Sequence, residues 1–204
     1  MKYLSGEKLN FDWKVVTVTI ASTLLLMVDH YRTITLYKYW DRVILYLVIP
    51  LLIIVLLFRE NPKEYGFSLG DWKLGLLYTA IGIVLMAPVI YYLGRSDVSM
   101  KNFYQALLPG LPWTTFLDLI GWEFFFRGWI LFAYTRKFGP DALWLHAVPF
   151  ALSHLGKPEV ETLSTIFGGF AFGWVAWRTK SFFYAFLIHW FIGTFIIIVA
   201  AGAI

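Results

Sequence analysis

The stretch SFFYAFLIHWFIGTFIIIVAAGA, residues 181–203, decides the fold class of this chain. It contains no Asp, Glu, Lys or Arg, and it exceeds the roughly 20 residues that an α-helix needs to cross the hydrocarbon layer of a bilayer. His189 lies well inside it. A polar side chain at that depth needs a partner or a function, because lipid offers no hydrogen bonds. The stretch therefore predicts a transmembrane helix that carries one polar residue of interest.

Six more apolar stretches precede this one, and their runs are continuous rather than alternating, which excludes the strands of a membrane barrel. The sequence predicts an all-α, polytopic transmembrane bundle of about seven or eight helices. The stretch that contains Pro149 is short, so a broken or re-entrant helix is the alternative there. The six stretches run from Trp13 to Tyr31, Trp40 to Phe58, Trp72 to Leu93, Trp113 to Tyr134, Ala142 to Leu155 and Thr162 to Trp177.

The composition points to the same class. Of the 204 residues, 59% are hydrophobic and 15% are charged, and the mean hydropathy is +0.67. Ordinary soluble domains have roughly 45–50% apolar and about 25% charged residues, so a soluble enzyme, a coiled coil and a disordered chain are excluded. Because the chain has no cysteine, thiolate metal sites and a cysteine nucleophile are excluded as well.

The basic residues flank the apolar stretches. The 17 Lys and Arg occur singly or in pairs, which does not form the stripe of a nucleic-acid interface, so the predicted partner is the lipid bilayer. Seven alternating spans place ten of them on one side and six on the other. By the positive-inside rule, we expect an integral, multi-pass membrane protein with a cytoplasmic N-terminus.

Few ionisable side chains lie inside the apolar stretches, where a charge costs about 2.5–3.5 kcal/mol on insertion scales. Glu123 and Arg127 are four residues apart, so they share a helix face and can form an ion pair. His154 and His189 lie in two other stretches. The residues fit either an ion pair that fixes packing, a glutamate and two histidines that activate water, or a metal site with those three ligands.

Hydrolysis is the reaction that this set favours. Ser153 precedes His154, but neighbours on a helix point about 100° apart, which makes a Ser–His pair a poor candidate. Without a cysteine, water remains as the nucleophile. His146 lies near the polar stretch 136–141 and is interpreted as a packing residue.

Three motifs in order resemble the CPBP family of intramembrane proteases. They are the run GWEFFFRG at residues 121–128, Phe150 with His154 four residues later, and the late His189. The family includes CAAX prenyl endopeptidases of the Rce type and bacteriocin-processing or self-immunity proteins. The resemblance spans residues 59–204, which we take as the protease-like core; residues 1–58 are the N-terminal transmembrane helices.

The resemblance implies an intramembrane endopeptidase that cleaves a membrane-associated peptide or protein, with or without a prenyl group. It implies that Glu123, oriented by Arg127, activates water together with His154, and that His189 binds the developing oxyanion. We expect no metal cofactor. If zinc is bound, its ligands are Glu123, His154 and His189.

Two positions depart from the family pattern. Trp122 stands where the family has the first of two glutamates, and Gly193 stands where it has Asn or Asp four residues after the histidine. The indole of Trp122 cannot accept a proton, and Gly193 has no side chain that could donate a hydrogen bond. An inactive family member that acts as a membrane binding or immunity scaffold is therefore the alternative. Asp118, one turn before Trp122, either pairs with a basic residue, faces a water-filled vestibule or partly replaces the missing glutamate.

Overall fold

The computed structural model describes residues 9–204, and those residues contain helices but no strand. The predicted all-α fold is confirmed. Lys2 and Lys8, which entered the count behind the cytoplasmic N-terminus, lie outside the described residues, so that orientation stays a prediction. We number the helices α1 (Trp13–Tyr31), α2 (Lys38–Phe58), α3 (Trp72–Ser96), α4 (Val98–Tyr104), α5 (113–138), α6 (142–152), α7 (Glu159–Thr179) and α8 (Phe183–Ala200).

Local sequence signals set the ends of several helices. The carboxylate of Asp12 accepts hydrogen bonds from the amides of Lys14 and Val15 at 3.0 and 3.2 Å, and Asp71 caps α3 in the same way. Arg59 and Lys180 take left-handed conformations directly after α2 and α7. These positions place the polar turns at the ends of the apolar helices.

Four of these helices, α1, α2, α3 and α8, are long and apolar enough to cross a membrane. Helices also form in the other three predicted stretches. It stays a prediction that these three cross a membrane. The stretch from Ala142 to Leu155 is the broken helix given as the alternative, because α6 consists of Ala142–Leu145 and Ala147–Leu152 with a turn at His146.

Helix α5 lies at the centre of the bundle. Its first part, Trp113–Glu123, is α-helical, Phe124–Ile130 is π-helical, and Leu131–Phe138 is α-helical again. Every side chain of the π-helical segment is buried. Helices α1, α2, α6, α7 and α8 pack around it. Residues on α5 are therefore shielded from lipid on most sides.

Helices α3 and α8 pack closely against each other, and small residues of α3 make this approach possible. A Cβ atom on Gly75 would collide with the ring of Tyr184, and one on Gly94 would lie 2.7 Å from Val199. Tyr184 also donates a hydrogen bond to the carbonyl of Leu69 at 2.8 Å. This contact fixes α8, which carries His189, against the rest of the bundle.

Candidate active site

Glu123 and Arg127 form the predicted ion pair at the junction between the α-helical and π-helical parts of α5. Nη1 of Arg127 lies 3.2 Å from Oε1 of Glu123, and both side chains are fully buried. A π-helical turn is wider than an α-helical one and recurs at functional sites. Because neither charge is exposed to solvent, the pair depends on its protein neighbours for compensation.

His189 reaches the same carboxylate from α8. Its Nδ1 lies 2.6 Å from Oε1 of Glu123, and the ring of Phe172 stacks on the imidazole at 5.3 Å between centroids. Because a carboxylate oxygen accepts hydrogen bonds, Nδ1 of His189 is the donor in this contact. The other ring nitrogen, Nε2, points away from Glu123.

His154 follows the C-terminal end of α6 and has a different anchor. Its Nδ1 lies 2.8 Å from the carbonyl oxygen of Phe150. Because a carbonyl only accepts hydrogen bonds, Nδ1 is the donor and Nε2 keeps its lone pair. The ring of Phe150 contacts both imidazoles, with centroid distances of 4.5 Å to His154 and 6.1 Å to His189.

Both histidines line one cavity of about 510 Å³. Most of its wall is apolar and comes from α3, α4, α7 and α8. Glu123 and Arg127 do not line it, so the carboxylate lies behind His189 rather than in the cavity. The structure thus places two imidazoles at the cavity surface, one of them backed by a buried carboxylate.

Asp118 belongs to a separate ion pair. Nη1 of Arg42, from α2, lies 2.7 and 2.6 Å from the two carboxylate oxygens of Asp118. The Arg42 guanidinium also lies over the indole of Trp122 at 4.8 Å, and that indole contacts the edge of His154 with centroids 5.8 Å apart. Asp118 therefore pairs with a basic residue, which is one of the three alternatives that the sequence left open for it.

The sequence did not point to Arg42, although the residue lies beside Trp122, one of the two departures from the family motif. A signal was available: Arg42 is a basic residue inside a predicted apolar stretch. At the second departure, a Cβ atom on Gly193 would lie 3.1 Å from Cδ1 of Leu119. The leucine side chain thus borders the space that a larger residue at position 193 would enter.

The donor atoms do not fit the alternative zinc set. Within residues 9–204, no three His, Asp or Glu side chains come together in a group that could hold a metal ion. Oε1 of Glu123 already contacts Nδ1 of His189 and lies 3.2 Å from Nη1 of Arg127. Catalytic zinc usually needs three committed ligands and an open position. Metal independence itself stays a prediction.

Fold and site together define a class: an all-helical membrane protein with a buried glutamate–histidine pair beside an internal cavity. Residues 104–195 match the family model described as Rce1-like, type II CAAX prenyl endopeptidase. No curated protein and no solved structure matches the chain. The matched segment contains all three motifs, and it confirms the resemblance to the CPBP family.

The family match and the four apolar helices support a membrane protease of the CAAX type. The match begins at residue 104, so residues 59–103 lie outside it. The division into an N-terminal pair of helices and a core that starts at residue 59 stays a prediction.

Proposed function

We propose that this chain is an intramembrane endopeptidase that uses water to hydrolyse a peptide bond of a membrane-associated substrate. One observation carries the proposal: two imidazoles face the same cavity, and a buried carboxylate is bound to the far side of one of them. In this scheme a substrate carbonyl enters the cavity and contacts both rings.

His154 is the general base. Its Nδ1 proton is held by the Phe150 carbonyl, so the lone pair on Nε2 is free to accept a proton from water. The water oxygen then bonds to the carbonyl carbon of the substrate, and the carbonyl oxygen becomes an oxyanion. When the C–N bond breaks, the proton on His154 passes to the leaving amine.

His189 stabilises the oxyanion from the other side. In this scheme both nitrogens of the His189 ring carry protons: Nδ1 donates to Oε1 of Glu123 at 2.6 Å, and Nε2 donates to the oxyanion. Glu123 acts through His189 in this scheme, which differs from the direct base role that the family resemblance implies. Arg127 holds the carboxylate in place.

The test is cleavage of membrane-associated peptides, with and without a prenylated C-terminal cysteine, by protein purified in detergent. We expect His189→Ala to lower the rate by about 10²–10³, the usual loss for an oxyanion donor. Glu123→Gln acts through His189, so it should lower the rate by no more than that, whereas His154→Ala removes the general base and should abolish cleavage. His30→Ala and Glu159→Gln are matched controls, because both residues are exposed and lie outside the site.

Unchanged cleavage by Glu123→Gln would overturn the mechanism. Comparing the two kinds of peptide shows whether the prenyl group is recognised. Adding a chelator tests metal dependence: activity that disappears with chelation and returns with zinc would contradict the metal-free scheme.

The scaffold alternative is favoured by Trp122 and Gly193, which lack the groups that the family motifs supply. A scaffold would bind the same peptides and release them intact. Retention of a peptide by the wild-type protein, with no cleavage over long incubation, would support that alternative.

A further inference from the structure

The buried guanidinium of Arg127 has more donors than the described part of the chain satisfies. Its nitrogens Nε, Nη1 and Nη2 have no hydrogen-bond partner among residues 9–204, although Nη1 lies 3.2 Å from Glu123 in an ion pair. The rings of Phe150 and Phe172 cover its surface at 3.8 and 5.1 Å. Unsatisfied buried donors are costly, so an acceptor is expected near this group.

His146 offers such an acceptor from α6. The residue is fully buried, and its Nδ1 lies 2.9 Å from the carbonyl oxygen of Ala142. Since the carbonyl can only accept, Nδ1 carries the proton and Nε2 has a lone pair. Within the described residues, Nε2 has no hydrogen-bond partner.

The surroundings place His146 and Arg127 in the same part of the core. His146 lies one turn before Phe150, whose ring covers Arg127. The edge of the imidazole that carries Nε2 packs against Gly173 of α7, the residue after Phe172, and a Cβ atom there would collide with it.

We propose that His146 is a positioning residue, whose Nε2 accepts a hydrogen bond from Arg127 through one buried water molecule. No direct bond joins the two side chains, and one water commonly satisfies two or more buried polar groups. The bond fixes the guanidinium, which fixes Glu123 and, through it, His189. His146 does not line the cavity, so it acts on catalysis only through these residues.

Nitrogen-15 NMR of histidine-labelled protein in detergent tests the hydrogen bond without a substrate. The His146 signals are identified by their loss in His146→Gln. We expect a protonated Nδ1 and an Nε2 signal shifted toward that of a hydrogen-bonded acceptor. A free-acceptor signal, or a proton on Nε2, would overturn the proposal.

Cleavage kinetics test the effect on catalysis, and this part rests on the proposed function. His146→Gln keeps an acceptor oxygen near the position of Nε2, so we expect kcat within about threefold of wild type. His146→Leu removes the acceptor and should lower kcat by about tenfold with KM unchanged. Equal kcat values for the two variants would contradict the positioning role.

The two readouts separate the possible failures. If wild-type protein cleaves nothing, the proposed function fails, and the NMR result still decides whether His146 holds Arg127. If His146→Leu does not fold, the NMR result decides alone.

Discussion

At position 122, an indole occupies the place of a family glutamate, and its contacts show what it does there. The Arg42 guanidinium lies over its face, and Asp118 holds the same guanidinium by two short hydrogen bonds. Cation–π contacts of this kind contribute about 0.5–1 kcal/mol at exposed sites and more when desolvated. Trp122 thus separates the charge of Arg42 from His154.

Asp118→Asn should destabilise the protein without a direct effect on the chemistry. Arg42 loses one of its two charged partners, since Asp29 stays 3.6 Å from its Nε, and for a partly exposed pair we expect a cost of about 1 kcal/mol. In a Trp122→Glu background the new carboxylate lies next to Arg42, so the same change should cost less. Thermal unfolding of the wild type, both single variants and the double variant measures the difference; additive costs would contradict it.

Arg127→Leu should reduce the yield of folded protein, unlike Glu123→Gln. Removing the arginine leaves a buried carboxylate without its charged partner, which costs about 3–5 kcal/mol. Size-exclusion profiles and detergent-extracted yield measure the loss. Arg32→Leu is the matched control, because Arg32 is exposed. Wild-type yield of Arg127→Leu would show that the ion pair does not hold the core together.

The sequence could predict that Glu123 and His189 meet, because few other ionisable groups lie in the apolar stretches. It could not predict that the carboxylate lies behind the imidazole, or that His154 is held by the Phe150 carbonyl instead of by Glu123. The position of the carboxylate depends on the rotation of α5, whose π-helical segment begins at the next residue. This rotation arises from packing against five neighbouring helices, and local sequence patterns do not reveal it.

At the scale of the helices, apolar stretches with polar caps were the most predictable elements. The predicted bounds of α1, Trp13–Tyr31, match the structure, because Asp12 caps an otherwise apolar run. Helix α3 continues past the predicted Leu93 to Ser96, since polar residues can extend a helix beyond the apolar layer. The turn at His146 was predictable only as an alternative, because Pro149 alone does not locate it.

The close packing of α3 against α8 gives an element-scale prediction. Gly75→Ala should destabilise the protein by about 1–3 kcal/mol, because the new methyl group must displace the ring of Tyr184. Gly168→Ala on α7 is a matched control with open space around the added Cβ, and it should be neutral or stabilising. Thermal unfolding compares them. Equal melting temperatures for the two variants would mean that the ring of Tyr184 moves aside without a measurable cost in stability.

Across the whole molecule, Glu60 joins three separate parts of the chain. It contacts Lys14 of α1 at 2.7 Å, Tyr65 at 2.6 Å and Arg136 near the end of α5 at 2.8 Å. Burial alone raises the pKa of Glu60, but the hydrogen bonds from Lys14, Tyr65 and Arg136 outweigh burial and lower the pKa to about 2. Burial and the same carboxylate raise the pKa of Tyr65.

This pKa predicts acid sensitivity. Because the folded pKa lies below the ordinary 4.5, the carboxylate stabilises the fold fully above about pH 4.5 and progressively less as the pH falls toward 2. After allowance for partial exposure, we expect the contribution to be on the order of 1–2 kcal/mol. Glu60→Gln should therefore lower the melting temperature at pH 7 and flatten its decline toward pH 3. A decline as steep as that of the Glu159→Gln control would contradict this role.

The leucine beside Gly193 has a consequence for engineering the site. The Cβ atom of an asparagine introduced at position 193 would lie 3.1 Å from Cδ1 of Leu119, so the tip of the leucine side chain must shift by a few tenths of an ångström. At position 122, a glutamate is smaller than the indole it replaces and finds Arg42 already in place. The two departures from the family pattern are thus unequal as engineering targets, because the first substitution displaces a neighbour and the second does not.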